Sequence, residues 1–133
     1  MVVSMNQFKI KTRRVVLVIV GLGYLGIGIA ALFDLRFIVE QYGFGFLGPN
    51  SFNGFRGLFN GFFFAFAFIY FLAAKKIETP ILGDIAGIII LAESLGRLLS
   101  FVIDGVPDFI FIRAFLSEFI PGVIILLTRP CQK

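Results

Sequence analysis

With 133 residues, 59% of them hydrophobic and only 15% charged, and a mean hydropathy of +0.99, the chain lies far outside soluble-domain composition and reads as an integral membrane protein. It has no His, no Trp and one Cys, which excludes His-based catalysis, metal sites built on imidazole or paired thiolates, and an internal disulfide. The net charge of +4 is spread over short segments that flank apolar runs, so it is a topology signal and not a nucleic-acid patch.

Met1 to Arg14 is a short basic leader, expected to be disordered or to lie on an anionic membrane surface through Phe8 and Ile10. A first membrane span is expected over 15–33. Its stretch from Val15 to Gly26 matches a strand followed by Gly-x-Gly-x-x-Gly, but three more membrane-length apolar runs follow in place of alternating strands and helices, which argues against dinucleotide binding. The 19-residue run also exceeds the ~7–15 residues of a signal-peptide core, so the helix is expected to be retained. Gly23, Gly26 and Ala30 share one helical face and are expected to let a neighbouring helix approach.

Residues 34–57 form a long extracytoplasmic connection, rich in glycine and aromatic residues, whose Pro49 argues against a long regular helix. The second span, over 58–74, is preceded by Asn53 and Arg56 and carries Asn60 at the same face, so its outer end bears a polar stripe. The Phe run from Phe62 to Phe68 is distributed all round the helix and reads as lipid-facing and packing bulk. After a tight turn at Lys75 to Pro80, with Thr79 as a cap, the third span covers 81–103, with Gly83 and Gly87 as a close-approach pair and Asp84 at the inner interface. Along it and just past its end Glu93, Arg97, Ser100 and Asp104 recur at steps of four, three and four, which at about 100° per residue is one stripe. Glu before Arg at a four-residue step favours an intrahelical pair. Asp104-Gly105-Val106-Pro107 turns the chain into a fourth span over 107–127, which carries Arg113, Glu118 and a kink-prone Pro121.

The fold class is therefore all-α, one membrane domain over 1–133: a four-helix transmembrane bundle with a loop over 34–57 on the far side. Eight of the twelve basic residues (Lys9, Lys11, Arg13, Arg14, Lys75, Lys76, Arg129 and Lys133) fall on the face that carries both termini, which assigns that face to the cytoplasm. Cys131 then lies in a reduced cytoplasmic tail.

Arg56, Asn60, Glu93, Arg97, Ser100, Asp104, Arg113 and Glu118 come from three spans, yet all belong to the middle or outer half of the membrane. They form either an internal network that sets helix register or an outward-facing pocket, with Arg56 and Arg97 gripping an anionic or carbonyl-bearing head group and Glu93 or Glu118 holding a proton. No catalytic residue, metal or cofactor is assigned, because neither Ser100 nor Ser117 has an identifiable base. Two functions fit: an accessory or interaction subunit of a membrane assembly, with a protein partner or a second copy at the glycine-lined faces, or a binding or transport protein for a lipid-like or anionic small molecule. The lipid bilayer is the expected surrounding in either case, and no nucleic acid is.

Three elements, Arg56-Gly57-Leu-Phe-Asn-Gly61, Gly96-Arg97-Leu-Leu-Ser100 with Asp104-Gly105-x-Pro107, and a glutamate in the fourth span, resemble a domain-of-unknown-function family of small four-helix bacterial membrane proteins. More distantly, that family is similar to the DoxX-type proteins. The likeness spans nearly the whole chain, with Asn60 standing where the family pattern has the first of two paired glycines. It implies the four-helix fold and a bacterial cytoplasmic (inner) membrane location, and no activity.

Overall fold

The structure is a computed structural model, and it describes residues 2–130. Six α-helices and one π-helical turn follow in order: α1 Val2–Phe33, α2 Leu35–Gln41, α3 Pro49–Arg56, the π turn Gly57–Phe62, α4 Phe63–Lys75, α5 Pro80–Ile103 and α6 Phe109–Leu127. Four helical stretches are long and apolar enough to cross a membrane: Met5–Phe33, Pro49–Lys75, Pro80–Ile103 and Phe109–Leu127. This makes the chain an all-helical integral membrane protein, with large apolar side chains such as Phe33, Phe68 and Val102 turned outward where lipid replaces water.

The basic leader is not a separate segment. It continues α1 by more than three turns, and near its inner end Arg13 is anchored: its guanidinium, 1% exposed, donates to an Asp84 carboxylate oxygen at 2.6 Å and to the Pro80 carbonyl at 3.2 Å. Gly83 makes room for that group, since a Cβ there would stand 2.6–2.7 Å from it. Asp84 also receives Arg129 Nε at 2.9 Å, so one carboxylate ties α1, α5 and the segment after α6 together. Cys131 and Lys133 lie outside the described residues.

The connection over 34–57 is also more ordered than its composition suggests. Asp34 caps α2 by accepting a hydrogen bond from Phe37 N, and Pro49 opens α3 at the first helical position, where a missing N–H costs nothing. Only 42–48 is left as a true turn, with Gly43 and Gly48 at φ of +72° and +129°. The second long helix therefore starts at Pro49, nine residues before the expected 58. Its π turn, absent from the sequence reading, faces α1, where Asn60 donates its amide to the Gly28 carbonyl at 2.8 Å. At the far end Thr79 caps α5 through its backbone carbonyl and not its side chain. The fourth helix begins at Phe109, because Gly105 at φ +100° and extended Asp108 still belong to the turn.

The long helices pack as α1 on α4, α4 on α5, α5 on α6 and α6 back on α1. Leu17, Gly21, Tyr24, Gly28 and Ala31, alternating by four and three, form the buried stripe of α1. Gly21 admits the Phe71 and Tyr70 side chains and Gly28 admits the Phe64 ring and the Phe59 carbonyl. The expected face through Gly23 and Gly26 is a different one: a Cβ at either would meet nothing within 4 Å. Gly83 and Gly87 do sit at close approaches, to Arg13 and to Ile125 and Leu126 respectively. Tyr70 donates to the Ala86 carbonyl at 2.7 Å, linking α4 to α5. A cap of Phe44, Phe46, Phe52 and Phe55 closes the loop end, with the Arg36 guanidinium over the Phe46 ring at 5.3 Å.

Candidate functional site

Between α1, α5 and α6 the packed helices leave a cavity of about 430 Å³. Its wall is apolar over most of its extent, from Val16, Val20 and Ile27 on α1, Ile90 on α5 and Ile124 on α6, with Phe63 of α4 behind. Gly23 contributes to the volume by having no side chain to fill it. One end of this apolar chamber gathers Tyr24, Tyr42, Glu93, Arg97, Ser117 and Glu118. Ile19 and Gly23 on one side and Ser117 and Ile120 on the other are exposed, so the mouth opens sideways along the seam between α1 and α6.

The polar end is held by two pairings that cross helices. Arg97 donates through Nε and Nη2 to the two carboxylate oxygens of Glu118, each at 2.8 Å, in the planar bidentate arrangement that a guanidinium and a carboxylate favour. Glu93 instead accepts the hydroxyl of Tyr24. The Tyr24 ring is fixed by edge contacts with Phe63 and Phe66 and by stacking on Tyr70, so the hydroxyl is presented from a rigid base. Tyr42 reaches the site from the turn after α2 and is held between Phe59 and Phe111. The intrahelical Glu93 to Arg97 pair expected from the four-residue spacing is thus not the ion pair that forms. α6 supplies the better acceptor because Glu118 takes two N–H bonds from the guanidinium, one on each carboxylate oxygen.

Of the eight residues singled out in the sequence, Glu93, Arg97 and Glu118 meet in this cavity. Asn60 stands apart on the π turn, with its amide on Gly28 and its Oδ1 buried without a hydrogen-bond partner among the described residues. Ser100 donates to Asp104 at 2.8 Å, and both are exposed at the end of α5. Arg56 and Arg113 are exposed and line no part of the cavity. The expected clamp of Arg56 with Arg97 is not what the structure brings together: Arg56 is exposed at the end of α3, outside the cavity, while Asn60 on the π turn faces α1. Pro121 lies within α6, and of Arg113 and Glu118 on that helix Glu118 lines the cavity while Arg113 is exposed.

Sequence reasoning missed Tyr24, Tyr42 and the Arg13 anchor. Tyr24 had a usable signal, since it lies on the same four-three stripe as Leu17 and Ala31 and is the stripe's one residue with a polar tip. Arg13 had none, because a basic residue before an apolar run is what any topology signal predicts.

Three groups that bear formal charge face the cavity, two carboxylates and one guanidinium, so with all three ionised it carries a net negative charge. Among the described residues no group of His, Cys, Asp and Glu is arranged to hold a metal. A family model described as a domain of unknown function (DUF4345) matches residues 12–128, in agreement with the resemblance carried by the Arg-Gly and Gly-Arg motifs. No curated protein and no solved structure matches the chain.

Proposed function

Because the chain belongs to the DUF4345 family, whose activity is unknown, its role has to come from its own residues, and we propose that it binds a lipid-like small molecule in the cavity between α1, α5 and α6. The observation that carries this is the union, in one chamber, of an apolar wall and a polar end that still has donors to offer. Arg97 uses two of its five N–H donors on Glu118, and the remaining ones are available to a ligand oxygen. At about 430 Å³ the chamber falls within the ~300–1,000 Å³ of small-molecule sites. A mouth between two membrane helices suits entry of an amphipathic molecule from the bilayer.

The head group that fits is neutral and carbonyl-bearing. An anion would meet an arginine already neutralised by Glu118, with Glu93 beside it, whereas a carbonyl needs only an N–H donor. The test is to fill the space. Gly23→Leu places a side chain where an added Cβ meets no atom within 4 Å, so it fits the fold while occupying the cavity. Lipid extracts of the purified protein, compared by mass spectrometry, should show one amphipath retained by the native chain and lost from this variant. Identical extracts would refute the reading.

A role as accessory or interaction subunit is the alternative. It draws on Gly26, Gly54, Gly57 and Gly61, whose outward faces are open to a neighbouring helix. Purification in mild detergent separates the two: a stoichiometric protein partner, or a homo-oligomer without bound amphipath, favours this alternative. In both readings the termini face the cytoplasm, since Lys9, Lys11, Arg14, Lys75 and Lys76 gather at that end, and the membrane is the bacterial inner membrane. A reporter at the C-terminus should behave as cytoplasmic and one inserted within 42–48 as extracytoplasmic. Labelling of Cys131 from outside intact cells would invert the topology.

A further inference from the structure

Arg13 and Arg14 are neighbours in sequence, but a helix turns about 100° per residue and sends them to different faces. Arg13 goes to α5. Arg14 lines an open groove between α1 and α4, with Val18, Phe71, Ala74 and Lys75, of about 440 Å³. We propose that this groove binds an anionic phospholipid, its phosphate at Arg14 and Lys75 and the start of an acyl chain over Val18, Phe71 and Ala74.

Charge is the first argument. Neither Arg14 nor Lys75 has an ion-pair partner among the described residues, and no carboxylate lines the groove, whereas the neighbouring Arg13 and Arg129 both converge on Asp84. The order of the lining is the second. Val18 lies four residues into α1 from Arg14, and Phe71 lies four residues into α4 from Lys75. The cations therefore stand about one turn, or ~6 Å, nearer the helix ends than the apolar floor, which is the order of head group and chain in a lipid. Deeper still the groove closes, because Gly21 lets the Phe71 ring against α1. A free phosphate would use the two cations and leave the floor bare, so the lining favours a lipid. The site shares no residue with the cavity between α1, α5 and α6 and stands or falls independently of it.

The experiment offers the delipidated full-length protein equimolar phosphatidylglycerol and phosphatidylcholine in mixed vesicles and counts retained lipid by native mass spectrometry. Phosphatidylglycerol should be enriched. With a basic residue near a membrane surface contributing about fivefold to anionic-lipid binding, the double variant Arg14→Gln, Lys75→Gln should lower retention by about 25-fold. A second double variant, Lys9→Gln with Lys76→Gln, removes the same charge away from the groove lining and should keep the enrichment, as should the charge-preserving Arg14→Lys. Equal retention of the two lipids, or equal losses in both double variants, overturns the proposal in favour of diffuse attraction. Displacement of phosphatidylglycerol by inorganic phosphate alone overturns it in favour of a free-anion site.

Discussion

Removing Arg97 and removing Glu118 should not cost the same, although the two residues are partners in one bidentate pair. Breaking a buried pair by deleting one member typically costs ~3–5 kcal/mol, because the other is left uncompensated. The side chains here are 27% and 14% exposed, so the lower end of that range applies. Arg97→Gln leaves Glu93 and Glu118 facing one cavity with no cation among its lining, and should cost about 3 kcal/mol. Glu118→Gln leaves Arg97 with Glu93 one turn below on α5 as a second carboxylate, and the new amide oxygen still accepts one N–H, so the loss should be about 1 kcal/mol. The double variant removes one charge of each sign and leaves only Glu93, held by Tyr24, so about 2 kcal/mol is expected instead of the additive 4 or so, a coupling of about 2 kcal/mol. The assay is reversible unfolding in mixed micelles, followed by far-UV circular dichroism as denaturing detergent is titrated in. Equal single losses would refute the asymmetry, and a coupling below about 0.5 kcal/mol would mean that water already solvates both groups. A parallel cycle on Glu93 and Arg97 should show the smaller coupling, since those two form no ion pair.

The cradle at the termini end predicts that Gly83→Ala lowers stability by about 3 kcal/mol, because its Cβ would displace the Arg13 guanidinium from Asp84 and leave a buried cation. The same unfolding assay checks it, and an unchanged transition would show that the anchor is dispensable. On α1, Gly28→Ala should cost about 1–3 kcal/mol by pushing its Cβ to within 2.7 Å of the Phe64 ring and 3.4 Å of the Phe59 carbonyl. Gly26→Ala, on the open face, should be neutral or stabilise by up to about 1 kcal/mol. If the two substitutions behave alike, the buried stripe of α1 has been assigned to the wrong face.

The number, order and character of the long helices were legible in the sequence, because membrane burial is a property of the local run. Some twenty apolar residues satisfy their own backbone only as a helix, whatever they pack against. Pro80 and Gly105 mark boundaries for equally local reasons, a fixed φ at a first turn and a positive φ in a loop. Glu93, Arg97 and Glu118 stood out for the same reason, as costly groups at membrane depth. What these groups face was decided by tertiary structure. A spacing of four residues admits an Arg97 pair with Glu93, but the approach of α6 offers a carboxylate that takes two N–H bonds at once. A sequence cannot say which of several glycine faces on α1 will be buried, because Gly21 and Gly28 win over Gly23 and Gly26 through the rings that α4 brings to them. It is likewise the Gly83 hollow on α5 that turns Arg13 from one more topology charge into a buried anchor, while Arg14, one residue on and 100° away, lines an open groove.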